Sequence, residues 1–149
     1  MEKLFKLFTL SLFAALLIFV GCGGGDDDDD TTPETPEEIS AGKLVAPWTA
    51  LSSVKLDGVD IAGWENFSIT ITGNADGGAY STTGAADASV WPSSGNWTFV
   101  PDSNGLKVSR SDGIEISITT SATTLSLTFD IVEGRTQGIT GTWVFVISR

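Results

Sequence analysis

The chain has 149 residues, with eight Lys or Arg against nineteen Asp or Glu, no histidine and one cysteine. That length allows a single domain beside a leader and a linker, and without histidine or a second cysteine no Ser-His pair, Cys-His pair or His-bearing metal site can be built. The net charge of −11 is uneven: residues 22–40 hold eight acids and no base, while residues 41–149 hold ten acids and six scattered bases. No basic face is left for a nucleic-acid backbone.

Lys3 and Lys6 open the chain, and Leu7 to Val20 is then apolar apart from Thr9 and Ser11. Such a run matches the apolar region of a secretory signal peptide and falls short of a membrane span. It ends at Phe19-Val20-Gly21-Cys22, which resembles a bacterial lipobox with Phe19 where Leu is usual. The resemblance implies that residues 1–21 are removed and that Cys22 becomes a lipid-modified N-terminus. More than one acyl chain anchors a protein firmly where a single chain does not.

Residues 23–40 follow Cys22 with GGGDDDDDTTPETPEEIS and no bulky apolar residue before Ile39. This composition predicts a disordered acidic tether, reaching about 55 Å at ~3.1 Å per residue. A flexible run of aspartates is not a Ca²⁺ loop, which needs a fixed turn, and no metal or cofactor is expected. Acids directly after the cysteine resemble the surface-export signal of Bacteroidetes-type lipoproteins. That resemblance implies an outer-membrane anchor with the domain facing the cell exterior; the alternative faces the periplasm.

From residue 41 to 149 the periodicity changes to two. Phe67-Ser-Ile-Thr-Ile71, Trp97-Thr-Phe99, Leu106-Lys-Val108, Ile114 to Ile118, Leu125 to Ile131 and Trp143 to Ile147 all alternate. Ser, Thr and charged residues hold the off-phase positions, as in antiparallel strands with one wet face. Val144 and Val146 make the last strand apolar on both faces, which places it near the centre of the structure. Asp57-Gly58, Asp76-Gly77-Gly78, Asp102 to Gly105, Asp112-Gly113 and Glu133-Gly134 mark the turns. Val54 to Ile61 reads as a small hairpin, and Leu44 to Leu51 as a weak strand kept to an edge by Pro47. The prediction is an all-β antiparallel up-and-down meander of seven to nine short strands, closing as a barrel or folding as a β-sandwich.

In the hairpin from Ile114 to Ile131, the inward faces agree only if paired positions sum to an odd number. A sum of 245 gives a two-residue loop at Ala122-Thr123 but sets Glu115 opposite Asp130, and facing like charges destabilise a pair. A sum of 243 pairs Ile116 with Leu127 and lengthens the loop to Thr120–Thr123. Charge alone selects 243.

Gly95-Asn-Trp-Thr-Phe-Val100 and Gly141-Thr-Trp-Val-Phe-Val146 share one pattern, Gly for close approach and Trp for the core. With Leu125-Ser-Leu-Thr-Phe129 they resemble the lipocalin-like domains of Bacteroidetes lipoproteins over roughly residues 44–149. The resemblance implies an up-and-down barrel and a small apolar or amphipathic ligand. Classical lipocalins carry Gly-x-Trp on their first strand, often with a disulfide and a C-terminal helix, and this chain does neither.

Catalysis has no local signature. Half of the domain's ten acids sit in turns, where backbone bonding explains them. The candidate binding residues are aromatic. Trp97 and Trp143 fit the core, whereas Trp91, Tyr80 and Trp64 lie beside glycine-rich or irregular stretches. There they serve as a platform for glycans, as gates to a barrel mouth, or as caps on the core. Arg110 shares the inward parity of Leu106 and Val108; it meets a buried anion, or closes its strand and reaches solvent. Seventeen bulky inward side chains predict a filled interior. The expected function is therefore a non-catalytic lipoprotein module. Its domain binds a small apolar ligand in a cavity, or binds glycans on exposed aromatics, or serves as a structural or protein-interaction unit.

Overall fold

The computed structural model describes residues 32–132 and 139–149. Cys22, the signal peptide, the aspartate run and the turn at Glu133-Gly134 lie outside the described residues. Alternation of apolar and polar side chains becomes a meander of consecutive antiparallel strands. These are β4 (Ser68–Asn74), β5 (Gly77–Thr83), β6 (Ser94–Phe99), β7 (Lys107–Arg110), β8 (Glu115–Thr120), β9 (Thr124–Ile131) and β10 (Gly141–Ser148). Three strands precede them: β2 (Ala50–Leu56) and the two-residue β1 (Pro47–Trp48) and β3 (Val59–Asp60). The sheet order is β1-β4-β5-β6-β7-β8-β9-β10-β2-β3.

Strands β1 and β2 are one extended stretch broken only at Thr49. Its start pairs with β4, at Pro47↔Thr70 and Trp48↔Ile69, and the remainder pairs with β10 from Leu51↔Ile147 to Leu56↔Trp143. Thr49 continues the second ladder by donating its N–H to Ser148 O at 3.1 Å. The stretch therefore joins the two ends of the curled meander, giving the up-and-down, barrel-like arrangement expected. Pro47, with no N–H to give, stands first in its strand. The small hairpin is present as β2 and β3, and Asp57 (φ 50°) with Gly58 (φ 81°) supplies the two positive dihedrals that a two-residue hairpin turn requires. Strand β10 is paired with β9 on one side and β2 on the other, but it is not central: it stands eighth in the ten-strand order, and its second apolar face, Val144 and Val146, is only half-buried.

Several expectations are corrected. The tether does not run unstructured to Ser40, because α1 (Pro36–Leu44) begins within it. The compact unit accordingly starts at Pro33, not at residue 41. Thr35 and Glu38 form a reciprocal capping box, Pro36 stands in the first turn, and Lys43 complements the C-terminal end. Nine residues are too few for a stable helix alone, and burial of Ala41 and Leu44 holds this one in place. Leu44 thus belongs to a helix, not to a weak first strand. Leu106 shares no inward face with Val108, since β7 begins only at Lys107 and Leu106 is 62% exposed in the preceding turn.

The hairpin register is also corrected. Ser117↔Thr128, Ile118↔Leu127, Thr119↔Ser126 and Thr120↔Leu125 all sum to 245. Turn chemistry outweighs the charge argument. Ser121 Oγ accepts from the amides of Thr123 (3.3 Å) and Thr124 (3.0 Å), and Ser121 N–H donates to Thr124 O at 2.8 Å. From the C-terminus, Arg149 donates Nε–H to Ala122 O at 2.8 Å. The charge conflict is relieved in another way. The ladder ends at Ser117↔Thr128, before Glu115 and Asp130 would face one another.

The interior is filled. All five tryptophans are buried, none more than 3% exposed, with Phe67, Phe129, Phe145 and a set of Ile, Leu and Val residues. Three indoles reach backbone carbonyls: Trp48 Nε1–H to Leu44 O (3.0 Å), Trp97 to Thr72 O (3.1 Å) and Trp143 to Ile139 O (2.9 Å). Each rim indole thus satisfies its polar edge where it closes the core. Gly95 has the close-approach role read from its motif, since a Cβ there would lie 2.5 Å from the Tyr80 hydroxyl.

Candidate functional site

Three of the four candidate binding residues converge. The segment between β5 and β6 is folded inward by Asp87, whose carbonyl accepts from Val90 (3.2 Å) and Trp91 (3.0 Å) and whose Oδ1 accepts from Ser89 N–H at 2.7 Å. Thr82 ties down its far end by donating Oγ1–H to Pro92 O at 2.9 Å. Val90 and Trp91 are thereby inserted into the core although neither lies on a strand. Trp91 lies 6.0 Å from the Tyr80 ring and packs against Phe67, Phe129 and Phe145. Trp64 sits apart from Arg110, in a ring cluster with Phe67, Trp143 and Phe145.

Arg110 points inward and meets an anion. Its Nε–H donates to Asp112 Oδ1 at 3.1 Å, Nη2–H to Asp112 Oδ2 at 2.5 Å, and Nη1–H to Val90 O at 2.9 Å. The guanidinium carbon stands 4.8 Å over the Trp91 ring and 5.7 Å from that of Phe129. The reading in which Arg110 reaches solvent is therefore corrected, and its parity with Val108 was the sound signal. A bidentate fork, a carbonyl and two aromatic faces account for a cation that would otherwise be costly to bury.

The same burial corrects the aromatic platform. Trp91, Tyr80 and Trp64 are interior residues, and rings inside the core cannot stack on a sugar. They cap and fill it. The void that Trp91 and Tyr80 leave with Leu44, Ile69 and Arg110 measures about 20 Å³, room for about one water molecule. Among the described residues, Trp91 Nε1 is a buried donor without a hydrogen-bond partner, and it is surrounded by rings.

Tyr80 carries a testable consequence of this burial. Desolvation raises its pKa above the usual tyrosine value; the nearby Arg110 charge opposes the shift and Asp112 adds to it. A raised folded value means that the stability tied to neutral Tyr80 is complete below about pH 10. It is lost as pH rises from there through the folded pKa. Because the chain holds a single tyrosine, tyrosinate absorbance reports on it alone. The expected result is a folded-state midpoint above that of the urea-unfolded chain. Coincident midpoints would place Tyr80 in water. Glu65 shows the opposite shift, lowered by the backbone N–H groups of Gly63 and of Glu65 itself.

A recess opens on the outer wall, where the β8–β9 ladder ends. It measures about 520 Å³ and is lined by Lys107, Glu115, Ser117, Thr128, Asp130 and Thr142, among others. Lys107 Nζ lies 3.3 Å from Glu115 Oε2, and Thr142 Oγ1–H donates to Asp130 Oδ1 at 2.5 Å. The resident lysine supplies the positive charge beside Glu115. No cluster of three or more metal-ligating side chains occurs among the described residues. This recess was missed as a site in the sequence, although the clash between Glu115 and Asp130 was its signal. No family model, curated protein or solved structure matches the chain.

Proposed function

We propose that this protein is a lipid-anchored, non-catalytic module of the outer membrane, held through Cys22 and facing the cell exterior, whose domain acts through contacts on its outer wall. The anchoring half rests on the lipobox resemblance and the acids that follow it. The interaction half rests on one observation, the filled core. Pockets for small ligands measure roughly 300–1,000 Å³, against a void of about 20 Å³ here. The lipocalin-like meander is thus used as a solid scaffold in this reading. The glycan reading loses its platform because Trp91, Tyr80 and Trp64 are internal.

Tryptophan fluorescence tests the interior directly, since five buried indoles line the core. Titration with dodecanoate and with a panel of oligosaccharides is expected to give no saturable change. A saturable response to dodecanoate would restore the small-ligand reading, and one to a glycan the lectin-like reading. The anchor is tested by Cys22→Ser, which should move the protein from the membrane to the soluble fraction. Protease treatment of intact cells should degrade the wild-type domain, and full protection would turn it toward the periplasm.

A further inference from the structure

We infer that the notch between β8 and β9 is a docking site for an extended, basic segment of another polypeptide, which would pair with both parted strands. This inference rests on the reading of the domain as an interaction module and names the surface involved. The β8–β9 ladder runs from Thr120↔Leu125 to Ser117↔Thr128 and stops there. Both strands nevertheless continue in β conformation. Glu115 remains paired with Ser109 of β7, and Asp130 with Thr142 of β10. Each strand is held by its other neighbour while the two diverge.

Parity identifies what faces the gap. The bond from Ser121 N–H to Thr124 O makes that pair a hydrogen-bonded one, and in an antiparallel ladder such pairs recur at every second position. Ser117 and Thr128 form the last such pair, and Glu115 and Asp130 are next in line. Their main-chain N–H and C=O groups therefore point toward one another across the notch, beyond the end of the ladder and without a ladder partner on that side among the described residues. A sheet edge of this kind is a template for strand addition.

Charge selects the incoming chain. Among the described residues, two carboxylates and one lysine line the recess, a net negative charge. The like charges of Glu115 and Asp130 oppose closure of the pair by β8 and β9 themselves. An added strand with Lys or Arg at the position between them would relieve that repulsion and complete both hydrogen-bond rows. Val132, 68% exposed at the rim, offers an apolar contact beside it.

The test has two parts, both on the non-lipidated full chain. Amide exchange should show the Glu115 and Asp130 N–H groups exchanging on the order of tenfold or more faster than Ser117 and Thr128. In a double variant, Glu115→Gln with Asp130→Asn, the notch should close and this difference should vanish. Strong protection in the wild type would remove the open edge and overturn the inference. The second part titrates acetyl-Thr-Val-Lys-Val-Thr-amide, with a Glu-for-Lys version as control, and follows backbone NMR shifts. Saturable shifts centred on Glu115, Ser117, Thr128 and Asp130 are expected for the lysine peptide only, weakened roughly tenfold in Asp130→Asn. Absent shifts, shifts elsewhere, or equal binding of the Glu peptide would overturn it. A dodecanoate response in the core would instead sink the interaction reading, so the two failures are separable.

Discussion

Phe145→Ala is expected to cost about 3–5 kcal/mol, the range for deleting a fully buried phenylalanine. Phe145 has no measurable exposure, and five rings surround it: Trp64 at 5.0 Å, Phe67 at 5.1 Å, Trp91 at 5.6 Å, Phe129 at 5.9 Å and Trp143 at 6.1 Å. Those rings come from β9, β10 and from segments outside the strands, so they cannot close together over the hole. The cavity term should therefore approach its upper range. Small domains have total stabilities of about 5–15 kcal/mol, and a loss of this size takes a large share of that. Urea unfolding followed by tryptophan emission should show the midpoint falling by roughly 2 M, taking a slope of about 2 kcal/mol/M.

The repeated motif supplies the control. Phe99 occupies the equivalent position in the first copy of Gly-x-Trp-x-Phe-Val, yet it is only half-buried and its ring meets that of Trp97 at 5.2 Å. Phe99→Ala should cost less than half as much as Phe145→Ala. Equal costs would show that the aromatic cluster is not centred on Phe145, and that two similar strand sequences have equivalent roles. Similar sequence thus need not imply similar energetics, because each strand's position in the sheet decides what its inward face meets.

That difference marks where the sequence was readable. Strand alternation exposed the meander, the strands flanking the Asp57-Gly58 turn and the core roles of Trp97 and Trp143, because a period of two is a local property. The capping box at Thr35 and Glu38 was equally local, but the acidic composition around it concealed α1. Register was harder. It turned on the hydroxyl of Ser121 and on Arg149, which reaches Ala122 from the far end of the chain. Trp91 was least legible of all. It enters the core from an irregular segment, where no periodicity tells inside from outside, and its placement depends on the Asp87 turn. The notch at Glu115 and Asp130 showed in the sequence as a conflict between charge and turn chemistry. The fold resolves it by parting the strands instead of shifting them.

Arg110→Ala is expected to destabilise the domain by about 3 kcal/mol, the lower part of the 3–5 kcal/mol range for breaking a buried ion pair. The lower figure applies because the Asp112 side chain is 31% exposed, against 1% for Arg110, and its Oδ1 also accepts from Ile114 N–H, so the carboxylate keeps water and a donor when Arg110 is lost. Val90 O cannot recover in this way. Val90 is fully buried and its carbonyl accepts from Arg110 Nη1. Trp91 and Phe129 would also lose the guanidinium stacked over them.

Two further variants separate these contributions. Arg110→Met keeps apolar volume over the rings and removes the charge and the donors, so it should recover part of the loss. Arg110→Lys keeps the charge but cannot make the bidentate fork, and should fall between wild type and alanine. If the methionine variant matches wild type, the arginine serves packing alone. If lysine restores full stability, charge suffices and the fork to Asp112 contributes nothing of its own. The expected order, wild type above Lys and Met with Ala lowest, would identify Arg110 as the clasp that holds the Val90–Trp91 segment inside the barrel. Tryptophan emission provides a second readout, because loosening that segment should shift Trp91 toward the red before the sheet unfolds.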